Sequence, residues 1–345
     1  MVFMGISSIR VEISELSVAK SGWTTLFVDK NFAAASDDND GYSWARPKKT
    51  IGGALADAKS WCKIYVNSGE YEEEVTVPYE HVQLIGVAKD GPDIVNIKSS
   101  IGTPLTITAG FCEVQTLAIE AEDQHGIQAT APGHKFDDVV VALSNPGGAN
   151  HNGIWLNDSD GTEIKNCHID GNNDDEVIGI LVGDDTVGAV IGGRDHDSNS
   201  AGNYITGCGS GVGADCGAGG ACVANGYGIG VAESAQRTQI FENEIIDCCV
   251  GVYFYKVGAD AFKGHAVLHN AFWENCSFDV FDQYTPNISA IAIRENYLGY
   301  TGWFDDQDND GRADIVVDCN TNFDYAPVAN PQTWQTQAIS RAGVI

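Results

Sequence analysis

A short unit that begins with glycine recurs along the middle of the chain, and it constrains the fold more than any other feature. The unit reads glycine, apolar residue, any residue, apolar residue, and most successive copies lie roughly 23 to 28 residues apart. Its copies are Gly126–Ala129, Gly153–Leu156, Gly179–Val182, Gly228–Val231 and Gly251–Phe254. A repeat of this length is typical of a solenoid, in which each coil buries its apolar face only by stacking on its neighbours.

A second unit, an asparagine followed two places later by an apolar residue, lies between copies of the first. It occurs at Asn203–Ile205, Asn243–Ile245, Asn270–Phe272 and Asn296–Leu298, and Asn166 fits it one residue out of step. Two strand signals that alternate at a fixed period predict the coils of a parallel β-helix. We therefore predict an all-β solenoid, formed by one chain, in which residues one coil apart line up as columns.

The outward face of the glycine unit carries aromatic residues. Because side chains alternate between the two faces of a strand, the residue between the two apolar positions points outward. This column reads Gln128, Trp155, Leu181, Gly230 and Tyr253, and Tyr255 follows one step further along its strand. Aromatic rings on a flat sheet form a platform for sugar rings, but Tyr and Trp are also enriched where subunits meet. Trp155, Tyr253 and Tyr255 are thus candidates for contact with a glycan or a neighbouring subunit.

The charge of the chain excludes several classes of partner. There are 48 Asp and Glu residues against 19 Lys and Arg, a formal net charge of −29. Nucleic acid and anionic membrane surfaces require basic patches, so neither is expected as a partner. No run approaches the roughly 20 apolar residues of a membrane span. Residues 1–21 lack a basic start and an apolar core, so no secretory signal is predicted, and we expect either a removed leader or release by lysis.

The cysteines follow the asparagine unit. Cys208, Cys248 and Cys276 come five, five and six residues after the asparagines of their coils, which predicts one column of cysteines. The column is interpreted as a buried ladder of small apolar side chains. Disulfides between adjacent coils are the alternative, because a strand spacing of about 4.8 Å suits a bridge. No CxxC pair occurs, so a zinc site is not expected.

The repeats also indicate how the chain is divided. Residues 1–24 are predicted to be an N-terminal arm or attachment segment, and residues 25–63 a strand followed by a helix over Lys49–Ala58 that caps the first coil. Residues 64–300 form the β-helix, with an insertion at about 192–226 that contains Cys216 and Cys222, a candidate disulfide pair. Residues 301–345 are expected to close the solenoid. Long loops on a rigid scaffold are where function is often placed.

The strongest cation motif lies near the C-terminus. Oxygen-bearing side chains alternate at Asp306, Asp308, Asp310 and Asp314, and Gly311 permits a sharp turn. This spacing suits Ca²⁺, and it predicts a structural calcium loop over the last coil, with a solvated acidic turn as the alternative. A weaker candidate of the same kind is the acidic run at residues 37–40.

Candidate catalytic residues are less specific. Glycoside hydrolysis needs two carboxyl groups on either side of the scissile bond, and a lyase needs a basic residue near clustered acids. The weak candidates are Asp174, Asp175, Arg194, Asp195 and Arg237. Among the eight histidines, only His265 and His269 lie at a spacing that suits metal ligands, and they are as easily explained as residues that flank a strand.

Parts of the sequence resemble a known family. The segments FVDKNFAAASDDNDGYSWARPKKTIGGAL and IYVNSGEYEEEVTV resemble the opening of right-handed parallel β-helix proteins in the pectate-lyase-like superfamily. The segments ENYLGYTGWFDDQDNDGRADI and FDYAPVANP resemble the closing part of NosD-like β-helix repeat proteins of microbial surfaces. The resemblance covers residues 25–330 and implies a right-handed β-helix with a short N-terminal capping helix. It leaves function open, because this fold serves lyases, hydrolases, adhesins and phage tailspikes.

The catalytic pattern of the superfamily is largely missing. Its pectin hydrolases carry Asn-Thr-Asp, Asp-Asp, Gly-His-Gly and Arg-x-Lys elements in order, whereas this chain has only Asp174-Asp175 and an incomplete Gly264-His265. We therefore expect a surface-exposed structural or glycan-binding protein, either virion-associated (tailspike-like or decoration-like) or on a cell surface. The expected partners are glycans or neighbouring subunits, with a homotrimer as one assembly. A lyase or hydrolase of an acidic polysaccharide is the alternative. Copper handling has little support, since the chain has two Met and no clustered His.

Overall fold

A computed structural model describes most of the predicted solenoid. The described residues are 22–87, 94–122, 124–144, 151–174, 177–193, 202–209, 226–255 and 264–273, residue 275, and the stretches 278–282, 291–294, 296–298, 303–304, 316–318 and 321–322. Nearly all of the predicted arm and most of residues 301–345 lie outside this set. Within it, no helix has the length and apolar character needed to cross a membrane.

The strands form three rows, and in each row every strand is parallel to the neighbours with which it pairs. Row 1 contains β1 (Thr24–Val28), β2 (Cys62–Asn67), β5 (Val82–Val87), β8 (Glu113–Glu122), β10 (Lys135–Ser144), β12 (Glu163–Lys165), β15 (Val190–Gly192), β18 (Gln239–Phe241), β21 (His265–Leu268), β24 (Ile291–Arg294) and β27 (Val316–Asp318). Row 2 contains the second halves of β8 and β10 together with β3 (Gly69–Glu72), β6 (Val95–Ser99), β13 (His168–Asp174), β16 (Tyr204–Cys208), β19 (Glu244–Ile246), β22 (Ala271–Trp273), β25 (Tyr297–Leu298) and β28 (Thr321–Asn322). Row 3 contains β4 (Val75–Val77), β7 (Leu105–Ile107), β9 (Ile127–Ala129), β11 (His151–Leu156), β14 (Val177–Val182), β17 (Tyr227–Val231), β20 (Val250–Phe254), β23 (Phe278–Asp282) and β26 (Trp303–Phe304).

Residues one coil apart are paired in register, which confirms the predicted columns. In row 3, Trp155 pairs with Leu181, and Leu181 pairs with Gly230. The two apolar positions of the glycine unit point into the core, where Ile154 and Leu156 are fully buried. The all-β parallel β-helix predicted from the sequence is therefore the observed fold.

The sequence indicated two strands per coil, and the structure has three. Strands β12, β15 and β18 of row 1 have three residues each, and each sends one apolar side chain inward, namely Ile164, Ile191 and Ile240. A single inward side chain produces no alternation, so these strands carry no periodic signal. The corner between rows 1 and 2 contains one residue with a left-handed backbone, such as Glu242 (φ 61°) or His269 (φ 55°).

The asparagine unit forms a hydrogen-bonded ladder at the start of row 2. Asn203, Asn243, Asn270 and Asn296 are each at most 1 % exposed. Each side-chain oxygen accepts from the backbone amide one coil earlier, and each side-chain amide donates to a row 1 carbonyl, as Asn203 does to Ile164 at 2.9 Å. Cys167 takes the ladder position in the preceding coil, which explains why Asn166 is one residue out of step.

The glycine of the first unit is required by close contact between coils. A Cβ atom on Gly153 would lie 2.5 Å from the carbonyl oxygen of Gly179, and one on Gly179 would lie 2.6 Å from that of Gly228. Real Cβ atoms essentially never approach so closely. The glycines therefore form a column in which no coil can accept a side chain without moving the next.

A short helix covers the N-terminal end of the core, as predicted. Helix α1 spans Ile51–Asp57, within the predicted Lys49–Ala58, and Thr50 caps it by accepting from the backbone amide of Gly53 at 2.9 Å. The helix contacts β1 and β4. Because β4 is the first strand of row 3, α1 covers a sheet edge that would otherwise be open.

The predicted cysteine column is partly correct. Cys208 and Cys248 are buried free thiols on neighbouring coils, so the ladder interpretation holds here and no disulfide joins them. The third place is occupied by Asn275, whose side-chain oxygen accepts from the backbone amide of Cys248 at 3.1 Å. The sequence assigned this place to Cys276, which lies outside the described residues, and this assignment is wrong by one residue. Cys216 and Cys222 also lie outside the described residues.

Candidate functional site

The outer face of row 3 carries a continuous strip of uncharged residues, named here the row 3 strip. It consists of one residue from each of seven successive strands, namely Thr76, Thr106, Gln128, Trp155, Leu181, Gly230 and Tyr253. At about 4.8 Å per strand, the strip is about 29 Å long. The outer faces of rows 1 and 2 differ, because they carry ion pairs such as Lys135–Glu163 (3.9 Å) and Lys98–Glu120 (2.7 Å). In a chain of net charge −29, a face without charge is an unusual surface.

The middle of the strip is a mixed aromatic and polar surface, which we call the Trp155 patch: His125, Gln128, His151, Asn152 and Trp155. The rings of His125 and Trp155 are 4.9 Å apart, and those of His125 and His151 are 6.4 Å apart. Asn152 is 2 % exposed, and its backbone amide donates to Nδ1 of His125 at 3.1 Å. The two histidines come from successive coils but are 26 residues apart, one fewer than Gln128 and Trp155, so their contact was not predicted from the repeat.

One hydrogen bond in the Trp155 patch determines the tautomer of His125. Because Nδ1 of His125 accepts a hydrogen bond, the ring proton of the neutral imidazole lies on Nε2. Burial, and secondarily the neighbouring His151, lowers the pKa of His125, which favours this neutral form. Two buried polar atoms, the acceptor Oδ1 of Asn152 and Nδ1 of His151, which donates or accepts according to its tautomer, have no hydrogen-bond partner in the described part of the chain. Together these groups place one donor, one acceptor and one further imidazole nitrogen beside an indole ring.

The end of the strip at Tyr253 is a cluster of three tyrosines. The rings of Tyr227 and Tyr253 are stacked with centroids 4.1 Å apart and an interplanar angle of 9°, and Tyr255 meets Tyr253 edge-on at 4.9 Å. Burial raises the pKa of the Tyr227 and Tyr255 phenols, so both stay protonated at neutral pH. The cluster packs on Ile178 and Leu181, outside the main core.

The structure thus places the three predicted aromatic residues on one face but in two groups. Trp155 and Tyr253 share the row 3 strip, separated by Leu181 and Gly230, a distance of about 14 Å for three strand spacings. Tyr255 joins Tyr253. Tyr227 was missed because it directly precedes the glycine of its unit, a position that strict alternation assigns to the core. The alternation breaks at the glycine, so the preceding residue also faces outward.

The two candidate catalytic residues that the structure describes do not come together. Asp174 ends β13 in row 2, opposite Cys208, whereas Arg237 is exposed at the corner that leads into row 1, with φ 54°. Asp175, Arg194 and Asp195 lie outside the described residues and stay predictions. His265 is the first residue of strand β21, and His269 directly follows the last.

The candidate metal ligands are not confirmed. Asp306, Asp308, Asp310 and Asp314 lie outside the described residues. In the acidic run at 37–40, Asp37 accepts from the backbone amides of Lys49 and Thr50 at 2.9 Å and so supports the start of α1. No three His, Cys, Asp or Glu side chains in the described ranges are grouped so that they could hold a metal ion.

A separate groove of about 550 Å³ lies on the outside of row 1, and we call it the row 1 groove. Its lining is Glu163, Lys165, Val190, Gly192, Gly193, Phe241, Glu242 and His269. Gly192 is paired with Phe241 and has no side chain, which leaves a depression one coil wide. A Cβ atom on Gly192 would lie 1.9 Å from the carbonyl oxygen of Phe241, so glycine is required there.

The comparison with protein families shows to which family the chain belongs. A family model described as "Protein of unknown function (DUF1565)" matches residues 33–298, which is most of the sequence. The chain belongs to this family. No curated protein matches it by sequence.

Solved structures resemble the chain in fold. Pectate lyase Pel9A superposes with a TM-score of 0.52 at 14 % identity, over 90 % of this chain and 83 % of that one. An alginate lyase from Paenibacillus sp. str. FPU-7 gives 0.51 at 16 % identity, over 79 % and 92 %. A rhamnogalacturonan lyase gives 0.51 at 14 % identity, over 81 % and 74 %. These are right-handed parallel β-helices, and the likeness confirms that fold for this DUF1565 chain.

Proposed function

We propose that this protein is a surface-exposed, non-catalytic β-helix that binds glycans along the row 3 strip. The observation that carries the proposal is the Trp155 patch, where an indole ring lies beside a neutral imidazole donor and two buried polar atoms without partners in the described part of the chain. Sugars present apolar C–H faces and hydroxyl groups, so they are recognised by an aromatic ring with a few placed polar groups.

The shape of the strip supports an extended ligand. Its seven strands are held in register by the backbone, and the two strip residues between Trp155 and Tyr253, Leu181 and Gly230, are apolar or small. A rigid face loses little conformational entropy on binding, which favours affinity for a flexible chain. The solved structures of similar fold, a pectate lyase, an alginate lyase and a rhamnogalacturonan lyase, agree with a carbohydrate ligand.

The test is binding of immobilised polysaccharides to the full chain and to Trp155→Ala. We expect Trp155→Ala to weaken binding at least tenfold, because stacking on the indole is lost. Trp61→Ala is the matched control, since Trp61 is 48 % exposed and stacks on His81, away from row 3. Equal binding by wild type and Trp155→Ala, or binding to no glycan at all, would rule out this function.

We further propose that the protein acts on a virion, as a tailspike-like or decoration-like component, or on a cell surface. The tyrosine cluster is then a second contact surface, for glycan or for neighbouring subunits, because half-buried tyrosines serve both roles. Sedimentation of wild type and Tyr253→Ser distinguishes them. A homotrimer that dissociates in the variant supports a subunit contact, and an unchanged mass supports a glycan contact.

A hydrolase or lyase is the second candidate function, and the row 1 groove supports it. Glu163 and Glu242 line this groove; Glu163 begins β12 and Glu242 directly follows β18, with β15 between these strands. Glu163 is in register with Gln239, and Glu242 lies three residues further along the chain, so the two backbones are about 14 Å apart. Two extended Glu side chains that converge over the groove bring their carboxyl groups into the range of about 5 to 10 Å required on either side of a glycosidic bond. Release of reducing ends or unsaturated products by wild type, abolished in Glu163→Gln and Glu242→Gln, would favour catalysis over simple binding.

A further inference from the structure

We infer that the row 3 strip selects neutral saccharides and discriminates against polyanionic ones such as uronic acid polymers. This inference rests on the proposed glycan-binding function and specifies its substrate class. It is carried by the charges and the hydrogen-bonding groups of the Trp155 patch.

The first argument concerns charge. A bound carboxylate loses its hydration, and this loss must be offset by a cation or by several aligned donors. None of the seven residues of the row 3 strip is basic. Lys98, in the neighbouring row 2, is held by Glu120 at 2.7 Å and Glu122 at 3.6 Å. The net charge of −29 further disfavours the approach of a polyanion.

The second argument concerns the hydrogen-bond inventory. The oxygen Oδ1 of Asn152 is a buried acceptor that requires a donor, and Nδ1 of His151 is a buried nitrogen without a partner in the described part of the chain. A sugar hydroxyl donates one hydrogen bond and accepts others, so neighbouring hydroxyls can donate to Asn152, accept from Nε2 of His125 and pair with either tautomer of His151. A carboxylate only accepts, so it would leave Oδ1 of Asn152 unpaired and place its charge against this oxygen. Vicinal hydroxyls therefore match the patch, and carboxylates do not.

Gln128 offers a way to reverse this preference. It is the neighbour of Trp155 in the row 3 strip and is half-buried on the outer face. Replacement by lysine adds a cation next to the indole without changing the inward residues Ile127 and Ala129. If the absence of a cation sets the preference, Gln128→Lys gains affinity for an anionic glycan.

The experiment compares neutral and anionic hexasaccharides on the full chain by calorimetry. The neutral probes are cellohexaose, xylohexaose, mannohexaose and maltohexaose, and the anionic probes are hexagalacturonate and hexaguluronate. We expect at least one neutral probe to bind at least tenfold more tightly than either anionic probe, with an affinity that does not change with salt. Asn152→Leu should weaken the binding of the neutral probes at least tenfold. Gln128→Lys should strengthen the binding of the anionic probes until calorimetry detects it.

The outcomes separate this inference from the function on which it rests. If the anionic probes bind best and Trp155→Ala abolishes their binding, the preference is wrong while the glycan site stands. If no probe binds, the proposed function fails together with the preference. Gln239→Asn, at an exposed position of row 1 outside the row 3 strip, is the control for general effects of substitution and should bind as wild type does.

Discussion

The side-chain oxygen of Asn270 accepts two hydrogen bonds from Asn243, one from the backbone amide and one from the side-chain amide, each at 2.9 Å. Asn243 in turn accepts the same pair from Asn203, at 3.0 and 2.9 Å. The ladder therefore satisfies buried polar groups at the sharp corner between rows 1 and 2, where the strand hydrogen bonds are interrupted. Each asparagine depends on its neighbours, because its side chain accepts hydrogen bonds from the preceding coil and donates to the following one, as that of Asn243 does.

Replacing Asn243 by alanine should lower the free energy of unfolding by about 3 kcal/mol, since it leaves buried amides of Asn203 and the carbonyl of Ile191 without this partner. Chemical denaturation of the variant measures the loss. Glu244→Ala, at the exposed neighbouring position, is the control and should change stability by less than about 0.5 kcal/mol. Similar stabilities for the two variants would show that the ladder contributes little.

The glycine column predicts that added volume destabilises the fold, whereas the preceding prediction concerns lost hydrogen bonds. Gly179→Ala would bring a methyl group to 2.6 Å from the carbonyl oxygen of Gly228 and the side chain of Ile205. The coils must separate locally, and we expect a loss of about 1 to 3 kcal/mol. Gly52→Ala in α1 is the control, because its methyl group would meet only the flexible side chain of Glu73, at 3.2 Å. A Gly179→Ala protein as stable as wild type would contradict the packing argument.

His134 predicts a dependence of stability on pH. Its side chain is fully buried, and neither ring nitrogen has a partner in the described part of the chain. Burial lowers the pKa of His134 to about 4, from an ordinary value of 6.5. Between these values the unfolded chain binds a proton that the folded chain does not. Burial of His134 therefore costs no protonation energy above pH 6.5. The free energy of unfolding falls as the pH drops from 6.5 towards 4, by about 3 kcal/mol in all.

The measurement is the difference between wild type and His134→Thr in denaturation at several pH values. Threonine occupies the equivalent position one coil later, at Thr162, so it is compatible with the coil. We expect the variant to lose the part of the pH dependence that lies between 4 and 6.5. His168→Gln, at an exposed site, should retain it. A variant that follows the wild-type pH profile would refute the assignment.

The fold could be predicted from the sequence because the glycine and asparagine units report contacts between coils. Gly153 and Gly179 repeat because each touches the next, and Asn243 and Asn270 repeat because each bonds the next. Such contacts impose the same residue on every coil, so they are visible as a period. Trp155 and Tyr253 could be placed on the outer face by the same reasoning.

The candidate site could be predicted only in part, because its remaining residues obey no period. His125 and Tyr227 precede the glycine of their units, where the alternation of the strand breaks, and a strict period of two turns them inward. The row 1 groove exists because Gly192 replaces a larger residue in a single coil. A feature confined to one coil leaves no repeated signal, and its identification requires the coordinates.

The calcium loop predicted at the C-terminus gives a final test, on residues that the structure does not describe. Asp306, Asp308, Asp310 and Asp314 alternate as oxygen ligands of Ca²⁺ do. A cation that binds only the folded chain stabilises it, by about 2.7 kcal/mol at one hundred times its dissociation constant. Removing calcium with a chelator should therefore lower the melting temperature of the full chain by about 5 °C, and added calcium should restore it. Asp308→Ala should abolish this response, whereas Glu233→Gln, an exposed acid elsewhere, should keep it. An unchanged melting temperature after chelation would leave the motif as a solvated acidic turn.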